Sequence, residues 1–129
     1  MIGMQAMTLA GGKALLHLAG RRRRVLDADD IYYLEAQDDE TDVRLRGARR
    51  LRDVRSIGEL MKELGALGFV RIHRNFAVNA GRVREIRPAD SGWEVRLEPP
   101  VNKVLPVSRR SLNTLLAAYR PGHRGTRET

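Results

Sequence analysis

Residues 69–79, F-V-R-I-H-R-N-F-A-V-N, set the tightest constraint on how this chain folds. Two apolar pieces, Val70/Ile72 and Phe76/Val78, enclose a polar trio, His73, Arg74 and Asn75. In a strand alternate residues share a face, so extending the face of Val70 and Ile72 would carry Arg74 into the core. An unpartnered guanidinium is expensive there. The backbone is therefore predicted to turn or bulge near Arg74, which keeps both apolar pieces buried and sends the trio into solvent. A polar cluster on rigid flanks is a candidate recognition surface.

The remaining pattern is that of many short strands. A-L-L-H-L at 14–18, V-L at 25–26, I-Y-Y-L-E-A at 31–36 and V-R-L-R at 43–46 are strand-like. In W-E-V-R-L-E at 93–98, Trp93, Val95 and Leu97 fall on one side and the charged residues on the other, as in a half-buried antiparallel strand. I-Y-Y-L is apolar on both faces and belongs in a central position. One internal helix is marked by Ser56 and Glu59 in a capping box, with Ile57, Leu60, Met61 and Leu64 at helical spacing and Gly65 and Gly68 available to end it. A second is predicted over 109–119, with Leu112, Leu115, Leu116 and Tyr119 on one face. Segment 80–87 fits either a bulge or a single turn. Residues 1–12 and 121–129 are predicted to be flexible tails around one domain at 13–120.

Charge bears on the partner. The net charge is +8, and 21 of the 24 basic residues are arginine, which binds phosphates and guanine edges with a two-pronged fork. No cysteine supplies a disulfide or a thiolate ligand. No apolar run approaches the ~20 residues of a membrane span, and the Met-rich start lacks the features of a secretory signal. The expectation is a cytoplasmic protein that does not engage membranes. His17, His73 and His123 lie far apart without metal-ligand spacing, no nucleophile elbow or phosphate-binding glycine loop occurs, and D-D-E-T-D at 38–42 reads as a solvated turn. Catalysis, a metal, a cofactor and a small-molecule ligand are not expected.

Several of these segments together carry a family resemblance. F-V-R-I-H-R-N-F-A-V-N resembles the F-x-R-x-H-R-S-x-x-V-N core of the LytTR family of bacterial DNA-binding domains. D-I-Y-Y-L-E-A at 30–36 is similar to its opening strand and S-I-G-E-L-M-K-E-L at 56–64 to its short helix. G-W-E-V-R-L at 92–97 and L-P-V-S-R-R-S at 105–111 match its closing strands and C-terminal loop. The resemblance runs over about residues 14–119. It implies a mainly β fold, an elongated antiparallel sandwich that reads DNA from loops, and sequence-specific binding to double-stranded DNA in bacterial transcription regulation. It also implies paired repeats as targets, so that two copies occupy one DNA segment, with dimerisation in solution left open.

Within that resemblance Arg74 is expected to read a guanine or a phosphate in the major groove, and Asn75, which replaces the family's usual serine, an adenine. His73 is expected either at the DNA or packed beneath the loop. If Ser108 caps the second helix, Arg109 and Arg110 fall in its first turn, where cations oppose the helix dipole by roughly 0.3–1 kcal/mol each. A bound phosphate reverses that sign. Arg110 is assigned to DNA; Arg109 either shares that role or pairs with a carboxylate such as Glu35. The acidic 38–42 segment stands where the family has its first DNA-contacting loop, so either Thr41 alone reaches DNA there or the loop has swung away. R-R-R-R at 21–24 and A-R-R-L-R at 48–52 are expected to form hairpin turns or edges, with some arginines on phosphates. The acidic loop also suits a second reading, an antirepressor or interaction module of the same family that sequesters a DNA-binding relative.

Overall fold

In the computed structural model, which describes residues 12–121, the I-Y-Y-L run does lie centrally. It belongs to β3 (Ile31–Gln37), in the middle of a five-stranded antiparallel sheet with β4 (Glu40–Leu45), β5 (Arg50–Asp53), β6 (Phe69–His73) and β7 (Phe76–Asn79), in the order β5-β4-β3-β7-β6. A two-stranded sheet, β1 (Lys13–His17) with β2 (Arg23–Asp27), covers one part of the fold. A three-stranded sheet, β8 (Val83–Ala89), β9 (Gly92–Leu97) and β10 (Val104–Val107), covers another. The helices are α1 (Ile57–Leu64) and α2 (Arg109–Ala117). The described residues are thus mainly β, a sandwich of antiparallel sheets with two short helices.

Two cores form. Ala14 and Leu16 of β1, Leu34 and Val43 of the large sheet, and Leu60 and Leu64 of α1 make the first. Tyr32, Tyr33 and Ile72 of the large sheet, Val95 and Leu97 of β9, Leu105 of β10 and Leu115 of α2 make the second. Each fully buried aliphatic or aromatic side chain contributes about 1.5–3 kcal/mol relative to exposure. Ile31 and Leu34 enter the first core while the adjacent Tyr32 and Tyr33 both enter the second, which strict alternation forbids. A register shift against β4 between Ile31 and Tyr33 supplies the extra residue. Trp93, Val95 and Leu97 all pack on the second core, as their alternation predicts.

The ambiguous 80–87 segment contains both features considered for it. A single 3-10 turn, Ala80–Arg82, leads into β8, and the pairing of β8 with β9 shifts between Val83 and Glu85. The basic run 21–24 closes the β1–β2 hairpin, and Arg50 and Arg52 lie on β5, an edge strand. On α2, Leu115 is buried and Leu112 packs on the second core, but Leu116 and Tyr119 of the predicted apolar face are exposed. The helix is thus buried along a narrower stripe than its sequence suggests, and the Tyr119 hydroxyl donates to the Ala80 carbonyl at 2.8 Å. Gly12, assigned by sequence to a tail, is buried with φ +62°, and its carbonyl accepts from the Ala28 amide. A Cβ there would meet Leu67 at 2.8 Å. The rest of the expected N-terminal tail, most of the C-terminal one, and His123 lie outside the described residues.

Helix α1 starts as its sequence indicates. The Ser56 hydroxyl accepts from the Glu59 amide at 3.2 Å, whereas the Glu59 carboxylate faces Lys62 at 3.4 Å rather than closing the box. The chain continues past Gly65 as a 3-10 turn and stops at Gly68, whose φ of 94° is the left-handed position. Replacing Ser56 with Ala removes the one side-chain cap, at a cost of about 0.5–2 kcal/mol. Urea unfolding should register that loss while DNA affinity of the folded protein stays unchanged, since the cap bonds only the backbone of α1.

Candidate nucleic-acid interface

The polar trio does form a turn, and a bulge accompanies it. Strands β6 and β7 are joined by Arg74 and Asn75, and the pairing shifts between Arg71 (opposite Ala77) and His73 (opposite Phe76). The extra residue is Ile72, which is fully buried. The bulge therefore lets Ile72 stay in the core while Arg74 and Asn75 are exposed. His73 is half-buried: its Nδ1 accepts from the Asn75 amide at 3.1 Å, and its ring lies against Phe76 at 5.9 Å between centroids. Its position supports the turn from beneath.

Hydrogen bonds align this turn with others. The Ala36 amide donates to the Asn75 carbonyl at 2.9 Å, which puts the Asp38–Asp39 turn between β3 and β4 beside it. The Ser108 amide donates to the Ile72 carbonyl at 2.8 Å, which joins the start of α2 to the same end. Thr41 faces Asp53 across the β4–β5 pair, and Asp53 accepts from the His17 amide, so the β1–β2 turn, with Arg21 and Arg22 in it and Arg23 and Arg24 opening β2, completes the row. His73, Arg74, Ser108, Arg109, Arg110 and Ser111 line one shallow concavity. Residues from two loops about 35 positions apart in sequence are thereby brought together.

Several arginines elsewhere are occupied, Arg46 with Asp30, Arg82 with Glu98 and Arg87 with Glu94. Arg46 and Arg82 also stack on Tyr32. Among the described residues Arg74, Arg109 and Arg110 have no carboxylate within salt-bridge distance, and Arg109 does not pair with Glu35. Both α2 arginines are exposed, and no acidic residue stands in the first turn of that helix. Ser108 is the N-cap residue, but its hydroxyl bonds the Ser111 hydroxyl at 2.8 Å instead of a backbone amide. Cations at an amide end without a side-chain cap form an electropositive spot suited to an anion.

The fold corrects the expectation that Thr41 reaches out of the acidic loop to DNA. Thr41 is fully buried, and its hydroxyl donates to the Arg55 carbonyl at 2.9 Å, so it is not presented to DNA. Alternation in β4 decides this, because Thr41 shares the inward face with Val43 and Leu45. Nor is the base of the loop turned away from the Arg74 turn. Glu40 and Asp42 are instead paired with Arg52 at 3.3 and 2.6 Å, which leaves Asp38 and Asp39 exposed at the tip.

Two supporting residues are not visible in the sequence pattern. Arg71 donates from Nε to the His73 carbonyl at 3.0 Å and from Nη2 to the Arg74 carbonyl. Asn79, the last residue of the motif, is buried; its Nδ2 donates to the Ala28 and Ile31 carbonyls and its Oδ1 accepts from the Gly81 amide. The order of apolar and polar residues around them gives no sign of either bond set, since the partners lie on other elements or on the turn backbone.

An antiparallel sandwich with a row of hairpin turns at one end, cationic where two of them meet, defines a mainly β module shaped to take a polyanion. Residues 21–120 match the family described as the LytTr DNA-binding domain, and the chain belongs to that family. The transcriptional regulatory protein YpdB of Escherichia coli K12 is 33% identical over 85 residues, which are 66% of this chain and 34% of that protein. Its namesake in Shigella flexneri matches equally. The chain spans about a third of the length of these curated relatives. A LytTr DNA-binding domain from Bacillus cereus has the same fold, with a TM-score of 0.64 at 24% identity, covering 81% of this chain and 95% of that one.

Proposed function

We propose that this domain binds double-stranded DNA sequence-specifically in the regulation of transcription, with the Arg74–Asn75 turn and the Ser108–Arg110 loop entering the DNA grooves. The observation that carries the reading is the convergence of Arg74, Arg109 and Arg110 on one concavity with no internal carboxylate to neutralise them. Arg74 offers its fork to a guanine in the major groove, and Asn75 offers donor and acceptor to an adenine. Arg110, with Arg109, holds a phosphate at the α2 amide end, where its charge turns from a cost into a contribution. His73 acts mainly by holding Asn75. The names of the YpdB relatives, transcriptional regulatory proteins, agree with this role. Paired repeats bound by two copies side by side are the expected target.

Selection of bound sequences from random duplex DNA tests the proposal. Recovery of a shared short motif, repeated within the fragment, is the expected result. Recovery of unrelated sequences would remove the base-reading role and favour a protein-interaction function. Bulk charge is separable from base reading. Replacing Arg22 and Arg23 with Ala should weaken binding to every duplex alike. It should also reduce the slope of log affinity against log salt by about 0.9 for each phosphate that is no longer neutralised, as measured by titration at several salt concentrations.

A further inference from the structure

We infer that Arg71 is the positioning residue of the Arg74–Asn75 turn, a role that rests on the DNA-reading function proposed for that turn. Its guanidinium bonds both the His73 and the Arg74 carbonyls. The Asn75 amide is taken by His73 Nδ1, and the Asn75 carbonyl by the Ala36 amide. Three of these bonds occupy the turn's carbonyls from His73 to Asn75 and the fourth its Asn75 amide, leaving the exposed Arg74 and Asn75 side chains as the groups on offer. Arg71 spends its donors on the turn's own carbonyls.

The fork geometry matters. A planar guanidinium reaches two carbonyls at once, whereas a lysine ammonium is a single point on a flexible stem. A side chain that fixes a turn before binding raises affinity by removing an ordering cost, and this gain is felt only by interactions that need the turn in one shape. Base reading needs it. A nonspecific phosphate contact does not.

The test uses the wild type, Arg71→Ala, Arg71→Lys, Arg74→Ala and the Arg71→Ala/Arg74→Ala double variant. Each is titrated with a selected and a scrambled duplex at two salt concentrations, with amide hydrogen exchange measured on the free proteins. Arg71→Ala should lose roughly tenfold affinity for the selected duplex, keep its affinity for the scrambled one and keep the salt slope, because Arg71 spends its donors on the turn and neutralises no phosphate. Arg71→Lys should lose as much. In the Arg74→Ala background the further loss should shrink to less than about twofold, the signature of two residues acting through one turn. Exchange at the Asn75 and Ala36 amides should quicken in both Arg71 variants without DNA. Equal loss on both duplexes with a flatter salt slope would make Arg71 a phosphate contact and overturn the inference, as would full rescue by lysine or unchanged exchange. If Arg74→Ala leaves the selected duplex unaffected, base reading by the turn fails, and the exchange measurement alone then decides whether Arg71 positions it.

Discussion

Substituting Asp53 with Ala should destabilise the domain by about 3–5 kcal/mol, the usual cost of removing one partner from a buried ion pair. Against a typical total of about 5–15 kcal/mol, that is a large part of the stability. Asp53 is fully buried. One of its oxygens accepts from the His17 amide at 2.9 Å and from Arg55 Nη2 at 2.8 Å; the other accepts from the Arg55 amide at 2.9 Å and from Arg55 Nε at 3.0 Å. Arg55 in turn donates to the Leu15 carbonyl and faces Glu63 at 3.2 Å. One carboxylate thus fastens β1, β5 and α1 together, and with them the β1–β2 turn at the interface end. Truncation leaves the His17 and Arg55 amides without their acceptor. Urea unfolding of the variant beside the wild type reads the difference.

The same carboxylate sets a pH dependence. Burial alone would raise its pKa, but the hydrogen bonds from the Arg55 guanidinium, the His17 amide and the Arg55 amide, with attraction to the Arg55 charge, outweigh burial and hold it below the usual carboxylate range. A group whose pKa is lower in the folded state stabilises fully above its unfolded value, near 3.9, and loses that contribution as pH falls towards the folded value. Urea unfolding of the wild type should therefore show stability falling below about pH 4. In Asp53→Asn that part of the slope should be absent.

The sequence makes some features legible and hides others for a physical reason. The turn at Arg74 follows from local cost, since no neighbouring residue offers a buried guanidinium a partner. The central place of I-Y-Y-L, the alternation of Trp93, Val95 and Leu97, and the Ser56 cap are likewise local statements. The bond of Asp53 to the His17 amide spans 36 positions, and R-D-V-R at 52–55 reads as ordinary surface charge until β1 is laid beside it. Thr41 is misplaced by its sequence because acidic neighbours make its strand look like a loop, whereas β4 begins at Glu40. Arg71 is hidden in a different way, as its partners are backbone carbonyls, which carry no signal in residue identity. The candidate site is legible as a set of cationic residues, and the convergence of the Arg74 turn with the start of α2 follows from the fold and the resemblance, not from spacing.

Replacing Arg74 with Ala tests the central claim, that an exposed turn reads bases and does not merely add charge. If Arg74 forms a two-pronged bond with a base edge, its removal should cost about 1–3 kcal/mol on the selected duplex and relax preference at the base it reads. Removal of a single phosphate contact would instead act on all sequences, and would be seen in the salt slope. Arg110→Ala, on the neighbouring loop, provides the comparison, with a loss that persists on scrambled DNA to the extent that it holds phosphate. The deciding measurement is the affinity of wild type and Arg74→Ala for a selected and a scrambled duplex at two salt concentrations. The expected result is a loss of roughly tenfold or more confined to the selected duplex at both salt concentrations. An equal loss on both duplexes would contradict base reading by Arg74.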